Sequence, residues 1–489
     1  MKRLLTMILS VMFALTTVRA QEMTLEEVIS AARTGSVVAL EARQAFVSAY
    51  WAWRSYMASR LPSVYLYGNL MSFDRSLTLL QDPGDGSMKY VSTNNLQNGL
   101  GIKATQNITL TGGILSLYSD LNRIDQFGFT QSLTWYSQPI TISYQQPLFG
   151  YNRFRWDRQI QPREYERGRR KYIESLEQIT VNAVDAYFSL LQARKNAEIA
   201  QSNYINTGKM REIAFERLKL GTVTRDEYLQ LELRMLNDSI SLNESGIRTR
   251  EAQMALNSLL GYDESYEIIP VLEESMPEII INYDVAIEKA LSNSNFELDN
   301  EISLLNAQSD VAQAKAQGGV TMSFSARFGL SKSGQWFSDA YANPPDQEVL
   351  GLTFSVPIFD WGQGRGRVQK ARAAEEVVRA QIVQSENDFR RQLYTAVGQF
   401  NTQRSQCKVS QRAAEIAAER YDLIMDKFRN GGATVLELNN ARTESDAART
   451  QYITDLKNYW IYYYNLRKRT LFDFLKGIDI EVDINELVE

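Results

Sequence analysis

The sequence predicts a mainly α-helical protein with a smaller β portion, built as two tandem repeats. Three observations lead to this prediction. Each half of the 489-residue chain contains two long segments with a helical pattern, and each half also contains strands in which apolar and polar residues alternate. In addition, the pattern Gly-x-x-Thr-x-x-Glu that begins at Gly221 recurs at Gly431, 210 positions later. A repeat of this kind indicates a duplicated architecture.

The chain opens with the pattern of a secretory signal. A positive start at Lys2 and Arg3 is followed by a mostly apolar run and by the small-x-small cleavage site Val18-Arg19-Ala20. We therefore expect residues 1–20 to be a signal peptide and the mature chain to begin at Gln21. The residue after the cut is Gln rather than Cys, which argues against a lipoprotein anchor.

Composition excludes several classes of site. The sequence has no histidine and one cysteine, Cys407, which excludes a Ser-His-Asp triad, an intrachain disulfide and zinc sites built from histidine or several cysteines. The net charge of −5 argues against nucleic acid as a partner. We expect no catalytic residue, no cofactor and no metal site. Cys407 falls in a helical stretch and is interpreted as a small core or interface residue.

The repeats define the expected domains. Each repeat runs helix, strands, long helix, glycine break, long helix. The first begins with a capping box in which Thr24 caps the helix and Glu27 returns the bond. The expected order is a first repeat at 21–260, an acidic linker at 261–282, a second repeat at 283–475 and a C-terminal tail at 476–489.

Strands with two unlike faces are predicted in both halves. Apolar and polar residues alternate at 320–331 and 350–356, and segments 63–70 and 139–146 occupy the same places in the first half. This pattern is typical of a strand with one apolar and one wet side, although an ordinary half-buried sheet is an alternative. Beyond the signal, the sequence has no run of about 18 apolar residues, so we expect any membrane-embedded part to be a β-barrel.

A proline ends each set of strands. Pro147 and Pro357 are also 210 positions apart, and proline both stops the strand ladder and sets the turn into the next helix. The first half is longer because it carries an insert at about 71–138, which includes the turn-rich segment QDPGDGS at 81–87. The insert is either a long surface loop or additional β structure.

The long helical segments are predicted to form two hairpins. A helix of about 60–65 residues is a rod of roughly 90–100 Å, and a rod that long must pair with another helix to bury its apolar stripe. The incoming segments are 163–219 and 364–429, and the returning segments are 224–258 and 434–470.

The turns between these segments have a structural explanation. Glycine permits a positive φ at the end of a helix, so Gly221 and the pair Gly431-Gly432 are the predicted turns. Thr224 and Thr434 are then natural N-caps, and Glu227 and Glu437 lie three residues later, where they would complete capping boxes. Any functional role of the two acids would be additional to this one.

Together these features resemble the TolC-type outer-membrane efflux protein family over nearly the whole mature chain. The resemblance rests on the duplication, the predicted signal, the strand-to-helix joint VPIFDWGQGRGRVQKARA at 356–373 and the F-x-x-G-x-x-T turn around Gly431. The long insert and the first joint, QPLFGYNRFRWDR, are similar to those of members from Bacteroidetes-like bacteria.

The resemblance implies a homotrimer in the outer membrane that extends into the periplasm. Each subunit would contribute four strands to a shared twelve-stranded barrel in contact with lipid, and its helices would form a periplasmic tunnel. Function would be passive export: an inner-membrane transporter such as an RND pump would deliver substrates through a periplasmic adaptor. The substrate itself would be set by the pump.

The resemblance also implies roles for residues near the hairpin turns. Glu227 and Glu437 match acids that ring the entrance, whereas Asn440 is an amide at a third such position. Phe428 and Ala433 match a gate-adjacent aromatic–arginine lock but lack its hydroxyl and its charge. The residues expected to dock the adaptor are those of the turns, Gly221, Thr222, Gly431, Gly432 and Thr434.

Two other functions are alternatives to an export channel. A periplasmic coiled-coil adaptor or structural protein also contains a long hairpin, but an adaptor normally has one hairpin and this sequence predicts two. An exported hydrolase would have to rely on carboxylates, and pairs such as Glu273-Glu274 are better interpreted as solvated linker charges. The aromatic run YWIYYY at 459–464 favours core packing or a subunit seam over a ligand site. We therefore expect a duct and not an enzyme.

Overall fold

The computed structural model describes residues 21–81, 84, 86–127, 131–272, 276–483 and 487. These residues form two units. The helical unit combines the described parts of Met1–Ser48, Arg167–Glu297 and Ser385–Glu489, and the sheet unit combines those of Ala49–Glu166 and Leu298–Gln384. The predicted signal segment and the pair Glu273-Glu274 lie outside the described residues. Within the described ranges, no helix has the length and apolar character needed to cross a membrane.

The helices confirm the two predicted hairpins. In the first half, α1 is Leu25–Gly35, α2 is Val37–Ser59, α3 is Arg153–Lys219 and α4 is Arg225–Leu260. In the second half, α5 is Tyr283–Asn293, α6 is Phe296–Gly318, α7 is Phe337–Tyr341, α8 is Gln363–Arg429 and α9 is Val435–Thr470. Both incoming helices, α3 and α8, have 67 residues, and both returning helices, α4 and α9, have 36. The hairpins therefore match in length residue for residue.

The first helix starts with the predicted capping box. Thr24 Oγ1 accepts from the backbone N–H of Glu27 at 3.3 Å, and the Glu27 carboxylate accepts from the backbone N–H of Thr24 at 2.8 Å. The corresponding helix of the second half, α5, is capped differently. There the Asn282 side chain accepts from the backbone N–H of Asp284 at 2.8 Å.

Part of the predicted linker is held in place by secondary structure. β6 (Ile268–Pro270) pairs in parallel with β1 (Gln21–Met23), and Ile268 is fully buried. The hydroxyl of Tyr187 on α3 donates to the carbonyls of Met23 (3.1 Å) and Val271 (2.6 Å), which fixes this small ladder on the long helix. The predicted tail is also partly structured, because β11 (Ile478–Asp479) pairs with β10 (Phe472–Asp473).

Aromatic residues of α8 and α9 form part of the core of the helical unit. The ring of Phe400 lies 5.2 Å from that of Tyr459 and 5.9 Å from that of Tyr463, and all three side chains are buried. Cys407 is also fully buried. The core interpretation is therefore confirmed for Tyr459 and Tyr463 of the 459–464 run and for Cys407.

A buried charge network joins helices of both repeats. Glu177 on α3 has no solvent exposure, and its carboxylate lies 3.2 Å from Arg33 of α1 and 3.2 Å from Arg467 of α9. Arg467 also lies 3.1 Å from Asp473, which accepts from the hydroxyl of Tyr463 at 2.6 Å. Because each buried charge has an opposite charge in contact, the cost of removing it from water is offset.

The sheet unit contains an antiparallel sheet in the order β2-β3-β4-β5-β7-β9, with the short β8 paired to β5. The strands are β2 (Ser63–Gln81), β3 (Met88–Ile108), β4 (Gly113–Gln126), β5 (Ser132–Pro147), β7 (Thr321–Leu330), β8 (Lys332–Gly334) and β9 (Asp346–Ser355). Pro147 ends β5 and Pro357 follows β9, and the next helices begin at Arg153 and Gln363, as expected for strand-to-helix joints. The four expected strands are β2, β5, β7 and β9.

The insert at about 71–138 is β structure in most of its described part. It extends β2, supplies all of β3 and β4, and begins β5. The β3–β4 hairpin lies between β2 and β5 and is paired with both. The described sheet therefore has two long strands more than the resemblance implies.

The predicted two-faced character of the sheet is confirmed. One cross-strand row consists of Val64, Ala104, Leu117, Ile142 and Phe328, which are register partners from β2 through β3, β4 and β5 to β7. The neighbouring row on the opposite face consists of Ser63, Thr105, Ser116, Ser143 and Arg327. Residues one position apart along each strand thus lie on opposite faces of the sheet, one apolar and one polar, as the period of two in a strand requires.

The Glu177 network leads to a stability prediction. Replacing Arg467 by Met should leave two buried carboxylates without their shared cation and destabilise the protein by about 3 kcal/mol or more. The expected readout is a lower midpoint of thermal unfolding for the purified protein. Arg469→Met is the matched control, because Arg469 lies near the surface and donates to Gln392. Equal midpoints for the two variants would mean that the network does not stabilise the fold.

Candidate functional site

Both hairpin turns end the incoming helix with the same backbone motif. The hydrogen bonds are Thr222 N to Arg217 O (3.0 Å) and Gly221 N to Leu218 O (3.1 Å) at the first turn, and Gly432 N to Lys427 O (2.8 Å) and Gly431 N to Phe428 O (3.1 Å) at the second. This pair of bonds is the Schellman motif, which needs a left-handed residue after the helix. The φ angles of +74° at Gly221 and +83° at Gly431 confirm the positive φ predicted for both positions.

Both returning helices start with the predicted capping boxes. Thr224 Oγ1 accepts from the backbone N–H of Glu227, and Thr434 Oγ1 accepts from that of Glu437, each at 3.2 Å. The carboxylates return the bond to the backbone N–H of Thr224 (2.9 Å) and Thr434 (2.8 Å). Each acid therefore has a structural role before any functional role is added.

The environment of Glu437 favours its ionised form. The hydrogen bonds from the backbone N–H and then the hydroxyl of Thr434 hold the pKa of this exposed carboxyl below its usual value near 4.5. Because the folded-state pKa is lowered, the stability that Glu437 contributes is present above the usual pKa and is lost as pH falls through the lowered one. The cap thus keeps a fixed negative charge at the hairpin turn.

The residues expected to dock a partner lie at the surface. Gly221, Thr222, Gly431, Gly432 and Thr434 are all exposed, and so is Asn440 on α9. No group of three His, Cys, Asp or Glu residues in the described part of the chain could hold a metal ion. The two hairpin turns therefore present an exposed surface, with the capping acids beside it.

Phe428 and Ala433 lie in an apolar cluster shared by the two hairpins. Phe428 is only 3 % exposed and Ala433 packs against the cluster from its edge. The buried members are Met210, Ala214, Leu231, Met425, Phe428, Val435 and Leu438. The structure thus gives Phe428 a packing role, consistent with its lack of the hydroxyl that a polar lock would use.

Arg217 ties the end of the first incoming helix to the end of the second. Its guanidinium donates to the carbonyl of Phe428 at 3.1 Å and to that of Arg429 at 2.8 Å. These carbonyls belong to the last turn of α8, where helix geometry leaves them without intrahelical partners and where a cation is favoured. A Cβ built on Gly431 would come within 3.3 Å of the same guanidinium. Arg217 therefore restricts what can replace Gly431.

A buried ion pair provides a second tie between the hairpins. Arg442 on α9 donates to the two carboxylate oxygens of Asp238 on α4 at 2.5 and 3.0 Å. Thr207 on α3 donates to the same carboxylate at 2.6 Å, and both charged side chains are nearly inaccessible to solvent. Three of the four long helices thus meet at one bidentate pair, a geometry that favours a single arrangement.

Neither the Arg217 hydrogen bonds nor the Asp238–Arg442 ion pair was predicted from the sequence. A signal for the ion pair exists, because Leu231, Asp238 and Ser245 follow one another at seven-residue spacing and all are buried. A charge on a buried helical stripe indicates a buried partner. For Arg217 the sequence offers no such signal, since its acceptors are backbone carbonyls that any residue supplies.

Comparison with known proteins identifies the class of this architecture. Residues 286–470 match the family of outer membrane efflux proteins. The match is confined to this segment of the chain. It includes the whole of the second hairpin, with the turn at Gly431 and the capping box of Thr434. No curated protein matches the sequence.

Solved outer-membrane channels share the fold over the length of the chain. The CmeC outer membrane channel of Campylobacter jejuni is 15% identical, with a TM-score of 0.65 over 94% of this chain and 88% of that one. VceC, an outer membrane protein of Vibrio cholerae, is 14% identical, with a TM-score of 0.63 over 94% and 97%. The open MtrE outer membrane channel of Neisseria gonorrhoeae is 13% identical, with a TM-score of 0.59 over 94% and 91%. These similarities show that the chain shares the fold of these outer-membrane proteins over both repeats.

The Arg217 hydrogen bonds lead to a prediction about the hairpin turns. Arg217→Ala should remove this donor from the carbonyl of Arg429 and leave that of Phe428 with the backbone N–H of Gly431, which should loosen the second turn, because charge-assisted hydrogen bonds each contribute about 1.5–3 kcal/mol. Amide hydrogen exchange at 428–438 should become faster, by about tenfold or more for a loss of 1.4 kcal/mol. Lys219→Ala is the control, since the contacts described for Lys219 are with Glu216 and the ring of Phe215 on its own helix and not with the second hairpin. If both variants exchange at the wild-type rate, Arg217 does not hold the turn.

Proposed function

We propose that this protein is the outer-membrane channel of a tripartite export system. It is a passive duct from the periplasm to the exterior, and its substrates are delivered by an inner-membrane transporter through a periplasmic adaptor. The observation that carries the proposal is the two-faced sheet, which occurs in a chain with the outer membrane efflux fold. The family is one of transport ducts, and the protein is therefore a transport protein and not an enzyme.

The apolar face of the sheet supports contact with outer-membrane lipid. Large apolar side chains on this face are 45–69 % exposed, as at Val64, Leu117, Ile142 and Phe328. A soluble protein rarely leaves a continuous apolar surface open to water. A strand of a transmembrane barrel needs 9–11 residues, and the shortest long strands, β7 and β9, have 10 each. The opposite, polar face suits an aqueous lumen.

The proposed assembly is a homotrimer. The sheet has two free edges, β2 and β9, within the described residues. Unpaired edges in a membrane are excluded because their N–H and C=O groups would have no partner in lipid. β2 leads out of α2 and β9 leads back into α8, so β9 of one copy would lie antiparallel to β2 of the next. Closure around a threefold axis satisfies both edges.

The proposed partners meet the hairpin turns. A periplasmic adaptor would dock on the exposed turn residues, and the transporter behind it, such as an RND pump, would supply energy and select the substrate. Nucleic acid is not a proposed partner. The alternative function, a coiled-coil adaptor or structural protein, does not account for the exposed apolar face of the sheet.

The acids at the turns are proposed to ring the entrance. A trimer carries three copies each of Glu227 and Glu437, and Asn440 would leave a third position uncharged. Carboxylates held around a narrow aqueous opening create a negative potential that attracts cations and excludes anions. The capping boxes fix the positions of these side chains, so the capping role and the entrance role are compatible.

The first functional prediction concerns the turns. Wild-type protein should fractionate with the outer membrane and migrate as a detergent-resistant trimer. Gly221→Val with Gly431→Val should keep both properties, because the strain of about 1–3 kcal/mol per site is local to the turns. Export should nevertheless fall to the level of a strain that lacks the protein, measured as susceptibility to substrates of the cognate pump.

The matched control for the turn variant is Gly246→Val. Gly246 lies within α4, and a Cβ built there meets nothing within 4 Å. Normal export by the double variant would remove the turns from the mechanism. Absence of the wild-type trimer from the outer membrane would contradict the channel function itself.

The second functional prediction separates the two roles of the acids. Glu227→Gln with Glu437→Gln keeps the capping bonds, since Gln also serves at that position, but it removes six charges from a trimer. In planar bilayers the cation-to-anion permeability ratio should fall by at least about twofold. Asn440→Asp should raise the same ratio. Glu27→Gln is the control, because it makes the same change in a capping box of α1. Unchanged selectivity in the double variant would leave both acids as helix caps only.

A further inference from the structure

The β3–β4 hairpin is a feature that the export function alone does not explain. It belongs to the insert of the first repeat and lies within the sheet between β2 and β5. Its pairing is continuous on both sides: Ser63–Asn69 of β2 pair with β3, and Ile114–Tyr118 of β4 pair with β5. A lumenal plug or an external flap would not separate two wall strands in this way. The inference that follows rests on the proposed channel function.

The hairpin has the same two faces as the strands around it. Leu100, Ile102 and Leu117 lie on the face that carries Val64 and Phe328, and all three are about half exposed. On the other face, β3 and β4 carry Lys103, Thr105, Ser116 and Asp120, and the hydroxyl of Tyr67 on β2 donates to Asp120. The apolar surface therefore continues across the part of the hairpin nearer its turn, whereas the same face carries the register partners Asn98 and Arg123 farther from the turn. This pattern is expected of a strand that has lipid on one side and water on the other.

The hairpin also spans the full height of the other strands. Its turn is held at the edge of the sheet where strands meet helices, by side chains of both neighbours and of its own. The bonds are Gln106 Nε2 to Arg60 O (2.8 Å), Asn107 Nδ2 to Ser59 O (3.3 Å), Gln146 Nε2 to Thr111 O (2.9 Å) and Asn152 Nδ2 to Leu110 O (3.2 Å). Asn152 also accepts from the backbone N–H of Arg155 in the first turn of α3. The β3–β4 turn is thus built into the strand-to-helix joints.

Topology allows a hairpin at this place but not a single strand. Both edges of the sheet must run in opposite directions for copies to close antiparallel, and the chain must return to the helical side after each set of strands. Two added strands preserve both conditions. One added strand would leave β5 on the wrong side of the membrane.

We propose that the β3–β4 hairpin is part of the barrel wall, so that the trimer closes with eighteen long strands in place of twelve. With strands about 4.8 Å apart and tilted by about 40°, the backbone diameter is about 24 Å for twelve strands and about 36 Å for eighteen. Barrels of 16–18 strands enclose an open aqueous channel. The wider outer end suits cargo of larger cross-section than a small drug, and it leaves the hairpin turns as the narrowest point.

The test uses single cysteines in the full-length protein, labelled with a bimane fluorophore in nanodiscs that contain nitroxide lipids. Native Cys407 is buried, and burial raises the pKa of its thiol to about 11, so it remains unreactive during labelling. Ile102→Cys and Leu117→Cys report on the apolar face of the hairpin, and Thr105→Cys reports on its polar face. Leu352→Cys on β9 is the positive control on an expected wall strand.

Labels at positions 102 and 117 should be quenched as strongly as the label at 352, and at least about threefold more than the label at 105, because outward side chains touch acyl chains. Weak quenching at 102 and 117 with strong quenching at 352 would overturn the hairpin proposal and leave the channel function intact. Weak quenching at 352 as well would contradict the channel function.

A second measurement does not depend on variants. Electron cryomicroscopy of the wild-type trimer in nanodiscs should resolve eighteen wall strands. A wall of twelve strands, with the hairpin inside the lumen or outside the membrane, would overturn the proposal. The same images show whether the protein is a trimer embedded in the membrane, so the strand count and the channel function are tested separately.

Discussion

The alternation of side chains along a strand is the constraint on which the sheet and its proposed setting depend. Each strand must keep its apolar residues in register with those of its neighbours, since a slip of one residue would move the whole set to the other face. The bulge between Asn69 and Ser72 shows how strictly this is kept. It adds one residue to β2, and beyond it Phe73 lies opposite Leu96, so that both stay on the apolar face. At the bulge, the apolar residues of β2 change from even-numbered to odd-numbered positions, which keeps them on the same face.

The two helical hairpins share a local feature, a glycine turn followed by a capping box. A long helix that reverses must satisfy its last carbonyls and the first N–H groups of the next helix. The Schellman bonds at Gly221 and Gly431 and the boxes at Thr224 and Thr434 do this without any tertiary contact. The hydrogen bonds of Arg217 and the Asp238–Arg442 ion pair then join the two hairpins to each other.

Duplication has kept the hairpins and changed the sheet. Helix lengths are identical in the two repeats, which is expected if both hairpins must end at the same level to meet one partner. The sheet has no such restriction, because a complete hairpin can be added without changing the direction or the ends of its neighbours. The insert lies where the architecture can accept it.

The sequence by itself determined the elements whose causes are local. Gly221, Thr224 and Glu227, with their counterparts in the second repeat, specify turns and caps through bonds within a few residues, and period-two alternation specifies strands with two faces. Both predictions are confirmed. The functional roles of Glu227, Glu437 and the exposed turn residues stay predictions.

Tertiary structure decided what depends on partners distant in the chain. The sequence left the insert open between a loop and β structure, because alternation is broken by the glycines of β3, and only pairing with β2 and β5 makes the insert part of the sheet. It left Phe428 as a candidate near a gate, although its surroundings, supplied by Met210 and Leu231 of the other hairpin, make it a core residue. The acceptors of Arg217 and the partner of Arg442 lie more than two hundred positions away, where no local pattern can indicate them. Turns and caps depend on residues close together in the sequence, whereas burial and strand pairing exist only once the chain has folded.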